Sequence, residues 1–125
     1  MEVLAGRVLL RSRDPAATTA FYRDVLELAV AREFPGGTVF FLGGGFLEVS
    51  GRSADPPPGP GVALWLQVRD APAAYAGALS RGAAGIREPR REPWGLVEAW
   101  LSDPDGLRIV LVEVPAGHPL RTDLR

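Results

Sequence analysis

Hydrophobic and polar residues alternate with a period of two through several short stretches of the chain, and two of these stretches are near copies. Arg7 to Asp14 reads RVLLRSRD and Ala63 to Asp70 reads ALWLQVRD. Successive side chains of a strand point to opposite faces, so each copy predicts one strand closing on the same Arg-Asp punctuation. An alanine-rich segment with helical periodicity follows each copy, and short strand-like runs come after it. The pattern predicts an internal duplication of a β-α-β-β-β unit, with a cleft shared between the copies.

In the first unit, Val3 to Ser12 predicts a strand, and Asp14-Pro15 supplies an N-cap with proline at the first helical position. Phe21, Val25 and Leu28 recur at helical spacing, with Tyr22 and Leu26 beside them, which sets the helix end near Leu26 to Leu28. Strands are predicted over Ala29 to Phe34, Thr38 to Leu42 and Phe46 to Ser50, divided by Pro35-Gly36-Gly37 and by Gly43-Gly44-Gly45. The proline-rich run over 52–61 reads as a linker, because proline cannot donate to a β ladder. In the second unit Val62 to Val68 is a strand, and Asp70 with Pro72 opens a helix that carries Tyr75 and Leu79 and stops between Gly82 and Gly85. Ile86 to Glu92, Leu96 to Leu101 and Leu107 to Val114 follow as strands, the last introduced by the turn Asp103-Pro104-Asp105-Gly106. The units span about 3–51 and 62–115, and a polar tail over 116–125 is expected to be mobile or to pack on the surface.

Alternation also sorts residues by face. Val8 and Leu10 correspond to Leu64, Leu66 and Val68, and Leu47 and Val49 to Ile109 and Leu111, giving each unit an aliphatic face that should meet its helix. The opposite faces are mixed. They carry Arg7, Leu9, Arg11, Phe46, Glu48 and Ser50 in one unit and Ala63, Trp65, Gln67, Arg108, Val110 and Val112 in the other, and they are the candidate cleft.

Composition narrows the possibilities. Over 125 residues, 46% hydrophobic and 23% charged content describes one globular domain, 1–125, able to bury a core without staples. A formal net charge of -1 provides no basic field for nucleic acid or an anionic membrane, so neither is expected as a partner. The absence of cysteine excludes disulfide and thiolate chemistry and is consistent with a reducing, cytoplasmic setting. No secretory apolar region follows Met1, and no run approaches transmembrane length. The glycines cluster where turns are expected, and no Gly-Lys-Ser or Gly-Lys-Thr follows them, so they read as turn geometry rather than a phosphate loop.

The block RSRDPAATTAFYRDVLEL, the strand FLEVS, the strand ALWLQVRD and the closing SDPDGLRIVLVE, in this order and spacing, resemble the vicinal oxygen chelate superfamily, which includes glyoxalase I, extradiol dioxygenases and bleomycin-resistance proteins. The resemblance extends to about Pro115. It implies an α+β fold in which two βαβββ units form an open, curved mixed sheet around a cleft, with helices on the outer face. Glu27 departs from it, since relatives usually carry glycine after the helix. The resemblance also implies four metal-ligand positions, which fall on Arg7, Glu48, Ala63 and Val110. Only Glu48 is a ligand type, and a guanidinium cannot deprotonate to bind a cation, so the metal site is expected to be lost and no cofactor is expected. His118, the sole histidine, lies in the tail and offers no obvious replacement.

Arg7 either replaces the metal by pairing with Glu48 or reaches solvent from the strand start. A pair would hold Glu48 ionised. Phe46 and Trp65 offer apolar or stacking surface, with Arg11, Glu48, Ser50 and Gln67 as polar anchors, a composition that suits a small organic ligand. By the resemblance, Arg11 corresponds to an arginine able to contact a substrate carboxylate; an exposed strand-end arginine is the bland alternative. Trp65 is either core or a stacking surface. Trp94 is placed to rim the cleft, Trp100 faces either side, and the charges of 88–92 read as a solvated edge.

Two functions remain open. The first is a metal-free protein that binds and sequesters an antibiotic or metabolite, neutral or anionic, since Arg7, Arg11 and Arg108 against Glu48 suit a cationic drug poorly. The second is a metal-free lyase or isomerase using Glu48 as general base. A metal-dependent glyoxalase or dioxygenase ranks below both. The resemblance further implies a homodimer.

Overall fold

Asp14 and Asp70 open their helices in the same way. In the computed structural model, which describes residues 1–122, the Asp14 carboxylate accepts from the Ala17 amide at 3.1 Å and the Asp70 carboxylate from the Ala73 amide at 2.9 Å. Each satisfies one of the amides that a helix start leaves without a backbone partner, and each helix has proline in its first two positions. These are α1, Pro15–Ala20, and α2, Ala71–Ser80.

The chain divides into two compact units, one from Met1 to Pro57 and the other from Pro58 on, within the proline-rich linker. The first contains β1 Val8–Leu10, α1, β2 Val30–Phe34, β3 Gly37–Leu42 and β4 Gly45–Ser50, in the sheet order β1-β4-β3-β2. The second repeats it with β5 Ala63–Val68, α2, β6 Ala84–Arg91, β7 Val97–Ser102 and β8 Arg108–Glu113, in the order β5-β8-β7-β6. In each unit the first strand runs parallel to the last, and the remaining pairs are antiparallel. The fold is α+β, built of two open four-stranded mixed sheets in a repeated βαβββ arrangement. A short helix, α3 Pro119–Thr122, follows. None of the helices among the described residues is long and apolar enough to cross a membrane.

The first unit is centred on Tyr22, Phe40, Leu47 and Val49, all essentially inaccessible to water. Tyr22 meets Phe21 edge-on at 5.1 Å and Phe40 at 6.3 Å. Burying one such side chain stabilises a fold by roughly 1.5–3 kcal/mol. In the second unit Ala71 and Ala78 of α2 are buried, as are Leu64, Ala99, Leu101, Ile109 and Leu111 of its sheet. The closing strand β4 alternates as expected, and β8 does so as far as Leu111.

The opening of the first unit differs from the sequence expectation. Its strand is only three residues long rather than running from Val3 to Ser12, so Arg7 and Arg11 flank it instead of lying within it. Val8, on an edge strand, remains 39% exposed instead of being covered by the helix. The parallel pairing extends only from Val8 opposite Leu47 to Leu10 opposite Val49.

The end of the first helix has an unexpected form. Phe21–Val25 winds as a wide turn, with the Leu26 amide reaching the Phe21 carbonyl at 3.0 Å and the Leu28 amide reaching Tyr22 at 3.0 Å. Glu27 makes the reversal at φ 57°, the left-handed region that favours glycine. The departure noted in the sequence therefore sits on a strained residue. Glu27→Gly is expected to raise stability by up to about 1 kcal/mol, since relief of the left-handed strain outweighs the added freedom of the unfolded chain. Urea unfolding measures it, and a loss of stability would contradict the strain argument.

Candidate functional site

In the first unit, parallel pairing of β1 with β4 sets Leu9 opposite Glu48, and Arg7, two residues earlier on the same face, reaches Glu48 diagonally. Arg7 Nη1 donates to Glu48 Oε1 at 2.9 Å, and Ser50 Oγ donates to Glu48 Oε2 at 2.6 Å. Both oxygens of the carboxylate are thus engaged by the protein. Leu47 and Val49 are buried on the other face, so strand alternation directs Phe46, Glu48 and Ser50 to the mixed face.

The Glu48 carboxyl is held below the ordinary carboxylate range, first by the Ser50 hydroxyl and then by the hydrogen bond and charge of Arg7, with Arg11 adding to the field and burial opposing it. The order has a physical reason. The Ser50 contact is short and part-buried, whereas the Arg7 side chain is 43% exposed and its charge is screened by water. Ser50→Ala and Arg7→Ala are each expected to raise the Glu48 pKa, as read by carboxyl NMR titration; an unchanged value in either variant would contradict the arrangement. A lowered folded-state pKa contributes stability above the unfolded pKa of about 4.3 and loses it as pH falls through the folded value. The stability gap between wild type and Ser50→Ala should accordingly be widest at neutral pH and close in acid.

Beside this pair lies a cavity of about 310 Å³ lined by Arg7, Ala31, Arg32, Val39, Phe41 and Phe46. The Phe41 and Phe46 rings lie 5.5 Å apart, and the Arg7 guanidinium stands 6.0 Å from the Phe46 ring. Val39 opposes Glu48 and Phe41 opposes Phe46 across the β3–β4 ladder. Val39 and Phe41 were missed in the sequence because Thr38, Val39 and Phe40 are all buried, so β3 shows no alternation to read, and Arg32 because the β2 pairing shifts register between Val30 and Arg32. Arg11 stays apart from this lining and lies along Gly51, at whose position a Cβ would be 3.5 Å from its Nε.

On the mixed face of the second unit, Trp65 opposes Val110, Val110 opposes Trp100, and Trp100 opposes Arg87 across three ladders. Trp100 thus faces the mixed side. Arg87 stands 3.8 Å from its ring centre and Arg108 4.8 Å. Both Trp94 and Trp100 donate their indole N–H to Glu98, at 3.0 and 3.5 Å. Arg87 escaped the sequence reading because register shifts in β6 break its alternation, and Glu98 because it and the neighbouring Ala99 of β7 are both buried.

Two expectations for this unit are corrected. Val112 is not part of an open lining but is buried with Leu96 and Val114, Val110 packing against them. Glu92 is not on a solvated edge: it is buried, paired with Arg87 and 3.6 Å from Arg90, because a carboxylate taken from water requires cationic partners. Gln67 and Trp65 remain exposed, and Trp94 is 58% exposed at a turn. The tail packs here through His118, whose Nδ1 accepts from the Leu120 amide at 3.2 Å, leaving Nε2 to donate to the Trp94 carbonyl at 3.0 Å. Its last expected residues, Asp123 to Arg125, lie outside the described residues.

A family model for the glyoxalase/bleomycin resistance protein/dioxygenase superfamily matches residues 5–111. The chain belongs to this superfamily. Solved structures that resemble it include a glyoxalase-related enzyme from Fulvimarina pelagi, 20% identical with a TM-score of 0.74 over 92% of this chain and 90% of that one. A superfamily member from Nocardioides is 19% identical, with a TM-score of 0.75 over 95% and 89% of the respective chains. TioX from Micromonospora sp. ML1 is 19% identical, with a TM-score of 0.70 over 90% and 97%. Among curated proteins nothing matches. At these identities the solved structures establish the superfamily fold alone.

At the positions that the sequence resemblance assigns to metal ligands, Arg7, Glu48, Ala63 and Val110, a divalent metal would find a single carboxylate. Glu48 offers the only ligand-type side chain, and its oxygens are taken by Arg7 and Ser50. Among the described residues no group of three or more His, Cys, Asp or Glu side chains is arranged to hold one.

Proposed function

We propose that this superfamily member is a metal-free protein that binds and sequesters a small organic molecule, neutral or anionic, at the Arg7–Glu48 face of its first unit. The observation that carries the reading is the engagement of both Glu48 oxygens by Arg7 and Ser50, which puts protein donors where the superfamily's metal would neutralise the carboxylate. The adjoining cavity supports it, with Phe41, Phe46 and Val39 as an apolar floor and the guanidiniums of Arg7 and Arg32 at its rim. The reading includes a cytoplasmic homodimer, which light scattering on the purified protein tests.

A lyase or isomerase using Glu48 as general base is the weaker reading, because a carboxyl held below the ordinary range is a poor proton acceptor near neutrality. Elemental analysis of the purified protein beside a thermal-shift panel of metabolites and antibiotics decides between them. The expected result is no stoichiometric metal and a stabilising compound recovered unchanged. Stoichiometric zinc, nickel, manganese or iron would overturn the proposal, as would turnover of the compound that requires Glu48.

A further inference from the structure

We infer that the second unit carries a binding site for a phosphoryl dianion at the end of β5, formed by Arg69 and by Arg121 of the C-terminal segment. The site is independent of the reading given to the Arg7–Glu48 face and adds a second ligand class.

Strand pairing brings the two guanidiniums together. The β5–β8 ladder closes with Val68 opposite Glu113, so Arg69 and Val114 are the next residues on its two strands. After Val114 the chain turns back, the His118 amide reaching the Pro115 carbonyl at 3.1 Å and the Arg121 amide the His118 carbonyl at 2.9 Å. This return lets Arg121 Nε donate to the Val114 carbonyl at 2.6 Å. A cavity of about 570 Å³ opens there, lined by Gln67, Val68, Arg69 and Arg121. Of these only Gln67 belongs to the mixed face, since Val68 points to the opposite side of β5 and Arg69 lies beyond its end.

Charge then selects the ligand. The lining holds two guanidiniums, one carboxamide and no carboxylate. The acids next to it in the chain are turned to the start of α2, Asp70 accepting from the Ala73 amide and Glu113 from the Ala71 amide, both at 2.9 Å. Among the described residues neither arginine pairs with a carboxylate. The bond from Nε to Val114 fixes Arg121 while leaving its terminal nitrogens to the cavity. Two guanidiniums and an amide supply enough donors for several oxygens of one tetrahedral dianion. The volume leaves room for an organic group beyond the phosphoryl head.

His118 is a positioning residue for this site. It is not part of the lining, yet its bonds to the Trp94 carbonyl and the Leu120 amide hold the segment that carries Arg121. Its ring lies close against Gly95, where a Cβ would be 3.2 Å from His118 Cδ2.

The probes are inorganic phosphate and phenyl phosphate, titrated at constant ionic strength while the arginine Nε–H resonances are followed by NMR, with acetate as the singly charged counterpart. Phosphate should shift the Arg69 and Arg121 resonances most and bind more tightly than acetate. Arg69→Gln and Arg121→Gln should each weaken it about fivefold or more. His118→Ala should abolish the phosphate-induced shift of Arg121 while keeping that of Arg69. Arg23→Gln, which removes an exposed charge paired with Asp24, should leave binding unchanged. Arg69 is exposed, so its variant keeps the fold intact even where loss of the Arg121 anchor loosens the tail, and thermal unfolding verifies both.

Absence of phosphate binding at millimolar concentration would overturn the inference, as would equal affinity for acetate or undiminished binding in Arg69→Gln. An Arg121 shift that survives His118→Ala would overturn the positioning role. Phenyl phosphate bound at least as tightly as phosphate identifies an organic phosphate as the occupant, and phosphate bound alone identifies the free ion; both support the site. Stoichiometric metal in the purified protein strikes only at the Arg7–Glu48 reading, so the two failures are distinguishable.

Discussion

Gly37→Ala should destabilise the protein by about 1–3 kcal/mol, and Gly37→Val by more, because the space a Cβ needs is already occupied. A Cβ at this position would fall 2.6 Å from Phe34 Cε2 and 2.8 Å from Ser50 Cβ. The Phe34 ring, as the end of a flexible side chain, is able to swing away. Ser50 is not, since it is the direct β-ladder partner of Gly37. The strain therefore falls on the β3–β4 pairing that also presents Glu48 and Ser50. Phe34 would in addition leave the Arg32 guanidinium, 5.1 Å from its ring, and Arg32 rims the first-unit cavity. Urea unfolding at unchanged m-value is the measurement. If ring displacement carries part of the cost, Phe34→Ala combined with Gly37→Ala should destabilise by less than the sum of the two single changes. Gly37→Ala with wild-type stability would remove the argument.

Asp103→Ala should cost roughly 2–4 kcal/mol, and Asp103→Asn should recover most of it. The Asp103 side chain is buried, and its Oδ1 accepts from the amides of Asp105 and Leu107, both at 2.9 Å. Alanine would leave the buried Leu107 amide without its acceptor, whereas asparagine retains a carbonyl oxygen at the same place. The turn is completed by the Gly106 amide reaching the Asp103 carbonyl at 3.0 Å and by Gly106 at φ 101°. This turn sets the register in which Ser102 opposes Arg108 and Trp100 opposes Val110, so it also aligns the second-unit surface. Thermal unfolding of the two variants checks the prediction; equal loss in both would show that charge, rather than the acceptor, matters.

The duplication was legible because its signals are local. Asp14 with Pro15, and Asp70 with Pro72, announce helix starts within a few residues, and alternation in β4 and β8 assigns Leu47, Val49, Ile109 and Leu111 to buried positions. Reading failed where locality fails. Arg87 lies on a strand with register shifts, which erase the period-two signal. Val112 alternates like a cleft residue, yet Leu96 and Val114 cover it, and Glu92 reads as a surface charge until Arg87 is placed against it.

By itself, the sequence determined the element order and the two-unit plan, which follow from capping, periodicity and spacing over a few residues, while the superfamily was read from a resemblance of whole motifs. Only the tertiary structure decided that Arg7 meets Glu48, 41 residues along the chain, and that Ser50 occupies the second carboxylate oxygen. A long charged side chain chooses its partner from whatever the strand pairing brings within reach, and that choice is written in no local pattern.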